Sequence, residues 1–163
     1  MNTIFQNNSI HNAVRSFLKL ALLISSLGLA SWVQAAKPEI YTGGWGSKVA
    51  IKGYDVVNYF TEGKARKGKK AFTYEYKDAA WRFVSQEHLD LFKADPAKYE
   101  PQYGGYCAYA VGNNYTASVD PRAFDVHEGK LYLNYSFGIQ KKWLARQDFY
   151  IEEADKNWPE VLN

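Results

Sequence analysis

Three side chains carry most of the chemical potential of this sequence: the single cysteine, Cys107, and two of its three histidines, His88 and His127. A thiolate is a nucleophile and a soft metal ligand, and imidazole is the usual partner of both roles. Together Cys107, His88 and His127 would suit Cu(I), which prefers soft donors and accepts few of them. The run Gly104-Gly105-Tyr106-Cys107 predicts a tight entry into a short helix over residues 106–111, with Cys107 in its first turn. Unpaired backbone N–H groups there would draw a thiol pKa from about 8.5 toward neutrality. Against this stands the ordinary behaviour of a free cysteine between Tyr and Ala, that of a small buried hydrophobe. His88, near the start of a helix, could equally be a surface or capping residue. His127 precedes the Glu128-Gly129 turn, where exposure is expected.

With one cysteine, no intramolecular disulfide or dithiol cycle is possible. Oxidation of Cys107 would need a second molecule, or would stop at sulfenic acid and be reversed from outside. Other chemistries find no support. Gly43-Gly44-Trp45-Gly46 lacks the Lys-Ser/Thr of a phosphate loop, and neither a nucleophile-elbow serine nor a His-Glu-x-x-His pattern occurs. No organic cofactor is indicated.

Arg15 and Lys19 precede the apolar stretch 20–30, and Val33-Gln34-Ala35 supplies small or modest side chains for a break after Ala35. This order predicts a signal peptide over residues 1–35 and a periplasmic or secreted protein. The stretch is shorter than the roughly 20 apolar residues a membrane span needs. Loss of Arg15 and Lys19 brings the chain, with 20 Lys+Arg against 17 Asp+Glu, close to neutrality. A near-neutral domain gives little electrostatic reason to expect nucleic acid, and the basic run 64–70 reads as a solvated hairpin edge. The expected partner is a metal ion or another exported protein.

The elements that must position these residues are short. Residues 36–47 read as a flexible lead-in and 48–163 as one domain. Val49-Ala50-Ile51 suggests a strand, and Asp55 an N-cap for a helix from Val56 to about Thr61. Residues 71–76 and 80–84 alternate as a hairpin around Lys77-Asp78. Ser85 caps a helix over 86–94, and Asp95-Pro96 restarts the chain for one turn through Tyr99. A second hairpin pairs 123–127 with 130–135. Ser136 then opens a helix whose Ile139, Trp143 and Leu144 point inward, and residues 151–158 finish the chain. No internal repeat is evident. Two hairpins among short helices predict an α+β fold. The 13 Tyr, 5 Trp and 9 Phe are read chiefly as core filling.

Several segments resemble the YHS domain family, in its exported single-domain branch. They are Gly53-Tyr54-Asp55-Val56-Val57-Asn58-Tyr59-Phe60, Phe83 through Phe92, Asp95-Pro96-Ala97-Lys98-Tyr99 and Pro101 through Ala108, with Leu131-Tyr132-Leu133-Asn134-Tyr135 and Gln140-Lys141-Lys142-Trp143. The likeness spans residues 48–160. Metal-binding relatives carry cysteines where this chain has Asn58, Val84 and His88, so the resemblance implies that the family's thiolate site is not copied. Members of this branch have cysteine or selenocysteine at the position of Cys107, which implies that the chalcogen reacts. Three functions therefore stand open: soft-metal binding through Cys107 and His88, thiol-dependent redox chemistry at Cys107, and partner binding without chemistry.

Overall fold

The computed structural model describes residues 36–44 and 46–163; the expected signal peptide and its cleavage point lie outside them. No helix among the described residues is long and apolar enough to cross a membrane. The described residues form an α+β fold, with six α-helices and two separate two-stranded antiparallel sheets.

The chain enters through a left-handed turn at Ala50–Gly53, with φ of 49° at Ile51 and 54° at Lys52. Helix α1 (Val56–Thr61) follows, then a hairpin of β1 (Lys69–Tyr76) and β2 (Ala79–Phe83). Helices α2 (Gln86–Ala94) and α3 (Pro96–Tyr99) complete the first half. A second left-handed turn at Gln102–Gly105 leads to α4 (Ala108–Val111). The hairpin of β3 (Asp120–His127) and β4 (Lys130–Asn134) comes next, then α5 (Phe137–Leu144) and α6 (Gln147–Asn157).

The halves are versions of one unit, a repeat that the sequence reading missed. Each runs left-handed turn, capping residue, short helix, eight-residue strand, five-residue strand and serine-capped helix. The same irregularity interrupts both ladders: Lys69 pairs with Phe83 and then Thr73 with Arg82, while Asp120 pairs with Asn134 and then Phe124 with Leu133. Asp55 N–H donates to Arg66 O at 2.9 Å, and Cys107 N–H donates to Ala117 O at 3.2 Å. Ser85 caps α2 through His88 N–H, and Ser136 caps α5 through Ile139 N–H. Phe92 and Trp143, seven residues after those serines, are fully buried. Their rings pack at 5.0 Å on Trp81 and 5.2 Å on Tyr132, the central residues of β2 and β4. Little sequence is shared beyond Gly53-Tyr54 with Gly105-Tyr106 and the two serines, because the core positions accept different large side chains of suitable volume.

Three further expectations are corrected. Residues 49–51 form no strand: Val49 makes one bridge to Ala80 before the chain turns. The lead-in has no regular element but is built into the fold, since Ile40 and Tyr41 are buried and Tyr41 bonds both Gly104 O and Ile51 N–H. Gly104 is required at that junction, because a Cβ there would lie 1.7 Å from Glu39 O. Leu144 faces solvent, and Trp143 alone is the deeply buried residue of α5.

Candidate functional site

Cys107, expected in the first turn of its helix, is instead the N-cap, one residue before α4 begins at Ala108. The turn ahead of it positions the thiol: Tyr103, Gly104 and Gly105 all have positive φ, at 55°, 57° and 82°. Gly105 is also held against Ile51, whose Cδ1 would lie 2.2 Å from a Cβ. Cys107 is 1 % exposed. Tyr135 N–H donates to Sγ at 3.3 Å, and the nearby backbone N–H groups of Ala110 and Tyr109 lower the thiol pKa without making a capping bond to the sulfur. The thiol faces Asn134 Oδ1 across 3.8 Å, and that oxygen accepts Tyr109 N–H at 3.4 Å. Asn134 is fully buried, and its Nδ2 has no hydrogen-bond partner among the described residues.

The equivalent place in the first half is filled by Asp55, also completely buried. Its Oδ1 accepts Val57 N–H at 2.9 Å and Asn58 N–H at 3.2 Å, the amides two and three residues on. Its Oδ2 accepts Val84 N–H at 2.8 Å, from the residue just before the capping Ser85. Cys107 Sγ keeps one of these three bonds, from Tyr135 just before Ser136; the amides of Tyr109 and Ala110, two and three residues on, lie near enough to lower its pKa but make no capping bond to it. The thiol thus stands where the other half holds a carboxylate. Amides aimed at one atom favour negative charge on it.

At rest that charge is opposed. Burial pushes the Cys107 thiol above its ordinary pKa and outweighs the lowering by the three amides. This corrects the expectation of a depressed value, because desolvation of an enclosed sulfur exceeds the amides' stabilisation. The resting group is a neutral thiol.

His88 does not join Cys107. Its Nδ1–H donates to Asp55 Oδ2 at 2.7 Å, and its Nε2 is 3.5 Å from Thr61 Oγ1. It is nearly buried and braces the capping carboxylate of the first half. His127 lies at the end of β3 with Nε2 3.9 Å from Asp148 Oδ1, partly exposed as expected. Among the described residues no three His, Cys, Asp or Glu side chains gather to hold a metal ion. The donor set expected for Cu(I) is therefore dispersed.

Asn134 and Tyr135 were missed as parts of the site. Asn134 reads in sequence as one more strand residue, and only the register that sets β4 beside Cys107 reveals it. Around the buried thiol the surface is aromatic: Tyr135 and Phe137 are each 57 % exposed and Tyr115 49 %. Burial, and then the proximity of Cys107, raises the Tyr115 hydroxyl pKa.

Comparison with family models, with curated proteins and with solved structures finds no match.

Proposed function

We propose that the domain is an exported thiol-dependent redox module of YHS type, with Cys107 as its reactive group. One observation carries this reading: Sγ occupies the place of the Asp55 carboxylate in the sister half, where it accepts the Tyr135 amide that corresponds to Val84 N–H and has the Tyr109 and Ala110 amides close by. A site built to accept an anion, given a thiol, stabilises negative charge on sulfur as it develops during nucleophilic attack or departure. Asn134 adds an oxygen that accepts from the neutral S–H and an Nδ2 donor free to turn toward an ionised or oxygenated sulfur. With no second cysteine, the oxidant and the resolving group come from outside.

Soft-metal binding draws less support, because it would rest on Cys107 without His88. Partner docking is a second reading, favoured by the exposed Tyr115, Tyr135 and Phe137.

The test is alkylation of the reduced protein by iodoacetamide across pH, with Cys107→Ser as the control and mass spectrometry as the readout. Modification of folded protein faster than its global unfolding, with a midpoint above that of a free thiol, is the expected result. A thiol that reacts only at the unfolding rate would overturn the redox reading and leave docking.

A further inference from the structure

Beside the thiol lies an open cleft of about 440 Å³ whose lining includes Lys52, Tyr54, Lys67, Asp120, Arg122 and Tyr135. Three of these residues are cations and one is an anion. Asp120 is paired with Arg122, whose Nη2 is 2.7 Å from Oδ2. Lys52 Nζ donates to the carbonyl of Val119 at 2.6 Å, and Lys67 Nζ stands 5.7 Å from the centre of the Tyr54 ring. No ion pair neutralises either lysine among the described residues. The cleft keeps net positive charge although the folded protein is close to neutral.

Two parts of this lining connect to Cys107. Tyr135, one of the lining residues, donates its N–H to Sγ. Ser118 and Val119, also in the lining, follow Ala117, whose carbonyl accepts Cys107 N–H. Tyr135 thus belongs both to the cleft and to the surroundings of the thiol, and its chain neighbour Asn134, with its Nδ2 unpartnered among the described residues, contacts Sγ.

We infer that the external partner of Cys107 is a carboxylate-bearing disulfide of low molecular weight, which docks its charges in this cleft and exchanges with the thiol. The inference rests on the redox reading above and adds the class of substrate. In the exchange Cys107 releases its proton to solvent and Sγ attacks one sulfur of RS–SR. The Sγ–S bond forms as the S–S bond breaks, and the departing RS⁻ takes a proton to become RSH. Cys107 is oxidised to a mixed disulfide and one half of the reagent is reduced, so no other oxidant is needed.

The experiment follows mixed-disulfide formation on the reduced protein by mass, using glutathione disulfide (anionic), 2-hydroxyethyl disulfide (neutral) and cystamine (cationic). Each rate is divided by that of the same reagent with a free thiol in solution. The anionic reagent should be favoured over the neutral one on the order of tenfold at low ionic strength, and the cationic one disfavoured. Lys67→Ala and Arg122→Ala, and added salt in the unaltered protein, should each shrink that preference. Equal normalised rates for the three reagents would overturn the inference while leaving the redox reading intact. Failure of all three to modify the folded protein would overturn the redox reading itself. Because the reagent and salt comparisons use the unaltered protein, a variant that folds poorly does not decide the outcome.

Discussion

The Asp55 corner and the Cys107 corner are the same piece of architecture fitted with different atoms. In both, a left-handed turn delivers a capping residue to a short helix, and a backbone amide preceding a capping serine closes the far side. In the first half every demand on the cap is met. Asp55 accepts three amides and the His88 imidazole, so a fully buried carboxylate is tolerated. In the second half a weaker acceptor takes only the Tyr135 amide, and the amide group of Asn134 beside it is only partly satisfied among the described residues. Incomplete satisfaction is not confined there: Asn58 Oδ1, Arg82 Nε and Trp143 Nε1 are also buried without partners among the described residues. What sets Asn134 apart is that its unused donor belongs to the side chain that contacts the only thiol. One half uses the motif to hold the fold, and the other uses it to hold a group that can change its charge.

The largest expected effect comes from emptying the satisfied corner. Asp55→Ala strands three backbone N–H groups and the His88 ring in the interior and removes the cap of α1. The expected loss is about 3–5 kcal/mol, read from urea unfolding. Cys107→Ala, which removes one small side chain and leaves the Tyr135 N–H without its acceptor, should cost about 1–2 kcal/mol. Equal losses at the two positions would break the comparison.

A transplant sharpens it. Cys107→Asp places a carboxylate among the amides of Tyr109, Ala110 and Tyr135, copying the first half. It should keep the protein folded at neutral pH and cost less than Cys107→Leu, which offers those amides no acceptor and overfills the site. Circular dichroism and unfolding midpoints give the ranking. A Leu variant more stable than the Asp variant would show that the second corner is an apolar packing site.

Much of the scaffold was readable in the sequence because its signals are local. Asp55, Ser85, Asp95 and Ser136 mark helix starts by capping chemistry, and the structure uses each of them in that role. The two hairpins follow from alternation around Lys77-Asp78 and Glu128-Gly129, both of which adopt the positive φ that such turns require. The left-handed turns were hidden, since nothing in Ala50-Ile51-Lys52 announces φ near 50°; tertiary contact with Tyr41 fixes it. The repeat was hidden because it resides in backbone geometry and hydrogen bonds while its side chains diverge. Cys107 was legible as a candidate, but its environment was not. Its amides come partly from residue 135, and the burial that raises its pKa is a property of the packed domain.

The smallest effect concerns alkaline pH, and its sign follows from that burial. Folding raises the Cys107 pKa, so the native state binds the thiol proton more tightly than the unfolded chain does. The neutral thiol's contribution is fully present below the unfolded value, about 8.5, and is lost as pH rises through the higher folded value. Tyr41, Tyr59, Tyr103 and Tyr106 are raised in the same sense by burial, so total stability declines at high pH for several reasons. The Cys107 share is isolated by subtraction. Cys107→Ser has no proton to lose in this range, so the stability difference between parent and variant should shift toward the variant between pH 7 and pH 10. A difference that stays constant would mean the thiol's pKa is the same folded and unfolded. The amides of the second half would then hold thiolate as well as water does, and its resemblance to the Asp55 corner would extend to charge as well as geometry.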